Sequence, residues 1–397
     1  MIVNILSHTP VWVWGLLAAL MALGFSQTRQ RHVAPWRLYA MKAMTGLEQQ
    51  ITRSGLKPGF MTPSFISRLA CSAFLWIAAV LLSPGLAAAP LAAGFETLQA
   101  ADGTDKPLEV AVWYPTEAVA EQVDLGPFTL NIARGGAVAG QALPLIVISH
   151  GNGGSSLGHH DTAVALAQAG FVVAAVAHTG DNHADRSREA SMMDRPRHVS
   201  RVIDYMLTKW SARDRIDATR IGVFGHSSGG FTALAVVGGA ADLGRIAPHC
   251  QQHPGDYACQ LIARQPTAAA AAGRVMVQAG RDARVRAAVV VAPALGFTFT
   301  QESLAAVSVP IQLWRAEDDV VLPHPWYAEA VRAALPKPLD YREVPKAGHF
   351  DFLAPCTPRF AAMAPPLCSS QPGFDRVAFH REFNAAVLGF FKVALKP

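Results

Sequence analysis

Residues Arg220 to Phe231 read RIGVFGHSSGGF, a Val/Ile-rich segment that runs without a spacer into Gly225-His226-Ser227-Ser228-Gly229 and then into a helical stretch. This run constrains the fold more than any other part of the chain. A serine on so abrupt a strand-to-helix turn has a strained backbone, with no room for a β-carbon two positions before it or two after. Gly225 and Gly229 supply that room. The flanking sequence agrees with a strand–turn–helix unit. Short Val/Ile-rich strands are predicted at 108–114, 145–149, 171–176, 220–224, 287–291, 311–315 and 339–344. Helices are predicted between most of them, at 162–169, 196–210, 229–237 and 326–335, with a last one at 379–395. Continuous apolar strands alternating with helices predict an α/β domain, with a mostly parallel central sheet covered on both faces. The segment around 240–280 breaks the rhythm with Pro248, Pro254, Pro266 and an alanine run, and reads as an insertion after the 229–237 helix that can cap a pocket.

A serine hydroxyl becomes a useful nucleophile only when a base takes its proton, and the base needs a carboxylate to fix its tautomer and stabilise the imidazolium. With Ser227 on the turn, both partners are expected downstream in the order acid, then histidine. His349 sits in Pro345-Lys346-Ala347-Gly348-His349-Phe350, directly after the last predicted strand, and is the expected base. The acid is expected after the 311–315 strand, where Glu317, Asp318 and Asp319 are adjacent. Asp318 is the first choice and Asp319 the second. The developing oxyanion needs two backbone donors. The N–H of Ser228 is one, and Asn152 in the glycine-rich loop His150-Gly151-Asn152-Gly153-Gly154 is the first choice for the other, with Gly153 second. That loop lacks the Lys-Ser/Thr of a phosphate-binding loop. His226 is expected to pack or hydrogen-bond beside Ser227.

His159, His160, His178 and His183 fall in two separate loops without metal-ligand spacing, so no metal or other cofactor is expected. The net charge of +5 suggests a nucleic-acid partner only until the charges are located. Residues 1–89 hold seven Lys/Arg against the single acid Glu48, which leaves the rest of the chain near neutral and without the basic stripe that phosphate-backbone binding needs. No nucleic-acid partner is expected.

The basic N-terminal region carries two apolar runs, 11–25 and 70–82. Both fall short of the ~20 residues of a comfortable membrane span. The second run, after Met61 and Arg68, leads through Ser83-Pro84-Gly85 to Ala87-Ala88-Ala89, the layout of a signal peptide and its cleavage site. Residues 61–89 are therefore expected to be a signal peptide, the alternative being an uncleaved anchor. Residues 1–60 are either a membrane-like segment or an over-extended gene start. Residues 90–397 are the expected catalytic domain, exported to the periplasm or beyond, or anchored outside the inner membrane. Of the five cysteines, Cys71 lies in the signal core. The remaining four fit an oxidising compartment, and short loop closure favours Cys250 with Cys259 and Cys356 with Cys368.

From about residue 95 to 395 the chain resembles the α/β-hydrolase superfamily. Within it, the similarity is to the bacterial predicted dienelactone hydrolases akin to platelet-activating-factor acetylhydrolase. The resemblance rests on Val112-Trp113-Tyr114-Pro115, Ser149 to Gly153, Asp194-Arg195-Pro196, Gly225 to Gly229 and Ala347 to Phe350. It implies Ser227 as nucleophile, His349 as base and Asp318 as acid. True dienelactone hydrolases use a cysteine nucleophile, whereas position 227 is serine. The implied activity is hydrolysis of a small-molecule carboxylic ester, with short acyl chains or phospholipid-like esters as the class. A peptidase or amidase would use the same residues, and a membrane-tethered binding protein is the non-catalytic alternative.

Overall fold

The computed structural model describes residues 91–190, 192–264, 276–277, 280–336 and 339–397. The signal-peptide and N-terminal segment expectations, Cys71 included, lie outside the described residues. Among the described residues, no helix is long and apolar enough to cross a membrane.

The domain is built on a ten-stranded sheet. Its strands are β1 (Ala92–Asp102), β2 (Asp105–Thr116), β3 (Glu121–Leu125), β4 (Phe128–Arg134), β5 (Leu143–Ser149), β6 (Val172–Ala177), β7 (Ile216–His226), β10 (Val285–Val291), β11 (Ile311–Ala316) and β12 (Asp340–Val344). The two short strands β8 (Ala241–Asp242) and β9 (Met276–Val277) pair apart from it. The spatial order is β12-β11-β10-β7-β5-β6-β2-β1-β4-β3. From β12 to β6 every neighbouring pair is parallel, and β6 meets β2 antiparallel. The helices are α1 (His160–Gln168), α2 (Arg195–Thr208), α3 (Ser228–Val236), α4 (Ile246–Gln252), α5 (Tyr257–Arg264), α6 (Ala328–Ala334), α7 (Pro358–Met363), α8 (Pro365–Cys368) and α9 (Arg376–Ala394).

β5 shows why the sheet is central: all seven of its residues are buried. Leu145 and Val147 face one core, with Val199, Val202 and Ile203 of α2, while Ile146 and Ile148 face the other, with Leu166 of α1 and Phe383, Val387 and Phe391 of α9. Two-sided burial is what an uninterrupted Leu/Val/Ile run requires. Helix α3 is buried along its whole length, which suits a segment apolar on all sides. The fold is that of an α/β-hydrolase.

One part of the sheet differs from the sequence expectation. The sheet begins earlier, with β1, β3 and β4 added around β2. These strands are half-exposed, as in β4, where Phe128, Leu130 and Ile132 are buried but Thr129 and Asn131 are not. Their alternating polarity hides them from a search for continuous apolar runs. The insertion expected around 240–280 carries α4 and α5, while Pro266 and the alanine run lie outside the described residues.

Strand register positions the site. Ser149 lies opposite Gly225, Val291 opposite His226, and Ala316 opposite Val344. The parallel strands thus end together, and the loops after β5, β7, β10, β11 and β12 emerge along one edge. The chain passes from β5 to β6 on one side and returns to β7 on the other, so the order reverses at β5. In open α/β sheets such a reversal leaves a crevice at the carboxyl ends of the strands.

Candidate active site

Ser227 has φ +58° and ψ −118°, a conformation that costs a residue with a β-carbon. The neighbours hold it there. Its N–H donates to Val291 O at 2.9 Å, and its carbonyl accepts from Ala294 N at 2.9 Å and Phe231 N at 3.1 Å. The two flanking glycines are sterically required: a β-carbon on Gly225 would lie 1.9 Å from Gly229 O, and one on Gly229 would lie 1.9 Å from Ser149 O.

His349 opens a short 3-10 turn after β12 and is buried. Its Nδ1 lies 2.8 Å from Oδ2 of Asp319. Because the ionised carboxylate can only accept, Nδ1 carries the proton and Nε2 presents a lone pair. The first-choice acid, Asp318, is not the partner. Past the end of β11, Glu317 N still donates to Val344 O and Asp318 N to Ala347 O. Pairing with the β12 side therefore runs two residues beyond the strand, and the chain turns inward only at Asp319. Asp318 and Glu317 are exposed, whereas Asp319 is buried. Oδ1 of Asp319 also accepts from Val321 N at 2.9 Å and Leu322 N at 2.7 Å, which locks the carboxylate.

Two further contacts hold His349 and its turn. His226 Nε2 lies 3.1 Å from the backbone carbonyl of His349, so it must be the donor, and the two rings pack with centroids 4.8 Å apart. Burial holds the His226 imidazole well below the usual histidine range, with the neighbouring His349 and His159 adding to the shift. It therefore stays neutral. Asp351 accepts from Gly348 N at 2.7 Å and from Arg376 Nε at 2.9 Å, while Arg376 also donates to Leu367 O at 2.8 Å. The expected bridges Cys250–Cys259 and Cys356–Cys368 are both present. Arg376 thus ties the turn at His349 to the loop closed by Cys356–Cys368.

The glycine-rich loop after β5 rests on a buried ion pair that sequence reasoning did not identify. Arg195 donates to Asp181 Oδ2 at 2.9 Å and to His150 O at 2.6 Å and Gly151 O at 3.2 Å. Asp181 Oδ1 in turn accepts from Gly153 N at 2.7 Å and from the Asn152 side chain at 3.0 Å. The second-choice donor, Gly153, is therefore engaged by the protein. The backbone N–H groups of Asn152 and Ser228 carry no hydrogen bond among the described residues. Asp194-Arg195-Pro196 was visible as a motif, but its link to the loop after β5 depends on the fold.

His150, His178 and His198 form a buried hydrogen-bonded chain behind this loop, whereas His159 and His160 pack elsewhere and His183 is exposed. His178 N donates to His150 Nε2, so His150 Nδ1 carries the proton that it gives to Gly151 O at 2.6 Å. His178 contacts Ser149 Oγ at 2.8 Å and His198 Nδ1 at 3.1 Å. Burial, reinforced by the Arg195 charge, holds His150 and His178 well below the usual imidazole range. Among the described residues, no group of His, Cys, Asp or Glu is arranged to hold a metal ion.

The domain thus has an α/β-hydrolase fold, with the loops that carry Ser227, Asp319 and His349 gathered along one edge of the sheet. Residues 114–195 match the family model of platelet-activating factor acetylhydrolase, isoform II, a stretch that includes the glycine-rich loop and Arg195. Among solved structures the chain is similar to a ferulic acid esterase from Streptomyces cinnamoneus, at 21% identity and a TM-score of 0.53. The likeness covers 79% of this chain and 92% of that one. No curated protein matches the chain.

Proposed function

We propose that the protein is a serine-dependent carboxylic ester hydrolase that works through an acyl-enzyme, with Ser227 as nucleophile, His349 as base and Asp319 as acid. The observation that carries this reading is the 2.8 Å Asp319–His349 pair on the same strand edge as a serine held at φ +58°. In the proposed reaction, His349 Nε2 takes the Ser227 hydroxyl proton and Ser227 Oγ attacks the ester carbonyl. The N–H groups of Ser228 and Asn152 receive the negative charge that develops on the carbonyl oxygen. His349 then returns the proton to the departing alkoxide, and water attacks the acyl-enzyme by the same route. Asp319 keeps the Nδ1 proton in place and stabilises the imidazolium. A neutral His226 beside the base adds no opposing charge at that moment.

The acetylhydrolase match supports short acyl esters, including phospholipid-like ones, as substrates. Hydrolysis of p-nitrophenyl acetate compared with an aminoacyl anilide tests this. Ester turnover that exceeds anilide turnover by orders of magnitude is expected, and the reverse preference would make the protein an amidase. Residues 61–89 are proposed as a cleaved signal peptide that exports the domain. The two disulfides support this, since such bonds persist in oxidising compartments. Amino-terminal sequencing of the mature protein is expected to begin just after Ala89, and a mature chain that retains residues 11–25 would contradict cleavage.

A further inference from the structure

The insertion between α3 and β10 reaches the glycine-rich loop through the side chain of Tyr257. Within the segment closed by Cys250–Cys259, Asp256 accepts from the Tyr327 hydroxyl at 3.0 Å and lies 2.9 Å from His249 Nε2. The His249 ring stacks on Phe297 with centroids 3.7 Å apart. The insertion is thereby anchored to the loops after β10 and β11. The next residue, Tyr257, extends its hydroxyl to Asn152 Oδ1 at 2.8 Å.

The polarity of this contact follows from the other Asn152 partners. Its side-chain nitrogen faces Asp181 Oδ1 and the Glu189 carbonyl, both acceptors, so the amide oxygen must be the atom that faces Tyr257. The phenol is therefore the donor, and partial burial raises its pKa, which keeps it protonated. With Tyr257 in place, both amide hydrogens and the oxygen of the Asn152 side chain are committed to the protein. The side chain is then clamped in one orientation while its own backbone N–H stays open.

We propose that Tyr257 is a positioning residue for ester hydrolysis, acting through the Asn152 side chain to aim the Asn152 backbone N–H at the carbonyl oxygen of the substrate. The Cys250–Cys259 bridge holds it at that point. This inference rests on the Ser227 reading above. An oxyanion donor contributes roughly 10²- to 10³-fold to kcat, so loss of its alignment is expected to remove part of that factor.

The test is p-nitrophenyl acetate kinetics on the full protein with its disulfides intact, using Tyr257→Phe, Asn152→Ala and the double variant. Tyr257→Phe is expected to lower kcat about tenfold and leave KM within about twofold, because the ring is kept and only transition-state binding is lost. Adding Tyr257→Phe to Asn152→Ala is expected to change nothing further, since the hydroxyl acts only through Asn152. A wild-type kcat in Tyr257→Phe, or additive losses in the double variant, would overturn the inference and leave the Ser227 reading intact. A wild-type protein that neither turns over the ester nor is labelled by a fluorophosphonate at Ser227 would overturn both. Should Tyr257→Phe slow the ester reaction, Cys250→Ser/Cys259→Ser is expected to show the same split between kcat and KM. A rise in KM alone in that variant would contradict the role given to the bridge.

Discussion

Asp319, and not the adjacent Asp318, accepts the hydrogen bond from His349 Nδ1, because backbone pairing of Glu317 and Asp318 with the β12 side delays the inward turn of the chain by two residues. Asp319→Asn is expected to lower kcat by about 10³- to 10⁴-fold, since an amide in that place favours the wrong imidazole tautomer. Asp318→Asn changes an exposed side chain and is expected to stay within about threefold of wild type. Steady-state ester hydrolysis by the two variants checks the ranking.

The Arg195–Asp181 pair is buried on both sides, so loss of either partner strands a charge. Asp181→Asn is expected to cost about 3–5 kcal/mol of stability. It also removes the carboxylate that accepts from Gly153 N and the Asn152 side chain. Urea unfolding measures the first effect, and kcat measured well below the unfolding midpoint reads the second. Arg195→Lys is expected to remain impaired, because one ammonium cannot reproduce the planar guanidinium contacts to Asp181, His150 O and Gly151 O.

The turn at His349 has two restraints of different kinds. The Cys356–Cys368 bridge closes a loop of about 13 residues, worth roughly 3 kcal/mol on a chain-entropy estimate. Arg376 holds Asp351 directly in the folded state. Arg376→Met is therefore expected to lower kcat more than Cys356→Ser/Cys368→Ser, which acts mainly on the unfolded chain. Thermal melts recorded beside ester turnover separate the two. A larger kcat loss in the cysteine variant would assign the restraint to the bridge instead.

Acid is expected to destabilise the fold through its buried histidines. Burial lowers the His159 pKa to about 4, and it holds His150, His178 and His226 well below the ordinary value near 6.5. Below pH 6.5 the unfolded chain takes up protons that the folded chain refuses. Their contribution is therefore fully present above pH 6.5, is lost as pH falls toward the folded values, and levels off below them. Each fully refused proton costs about 1.4 kcal/mol per pH unit in that window. Melting temperature is expected to be flat from pH 8 to 7 and to fall steeply from pH 6 to 4.5. A flat profile across that lower range would contradict the burial of these rings as neutral species.

Legibility in the sequence followed physical locality. β5, β6 and the inner parts of β7 (221–224) and β10 (287–291) announced themselves because both faces are buried and these stretches are unbroken apolar runs. The turn at Ser227 was readable because its steric demand falls on two glycines at fixed offsets. β1 and β4 were not, since strands with one solvent face alternate apolar and polar residues over only a few positions. The choice between Asp318 and Asp319 depends on how far backbone pairing continues past β11, which no side-chain pattern encodes. Contacts such as Tyr257 with Asn152 join residues 105 positions apart and exist only once the sheet has brought their loops together.

In the proposed mechanism Ser227 is the nucleophile, activated by the Asp319–His349 pair. Peptide mass mapping after treatment of the native protein with a fluorophosphonate tests it most directly. A single adduct on Ser227 is predicted, absent from Ser227→Ala and formed at least 100-fold more slowly in His349→Ala and Asp319→Asn. An adduct on another residue, or labelling of Ser227 at an undiminished rate in the His349 variant, would contradict it.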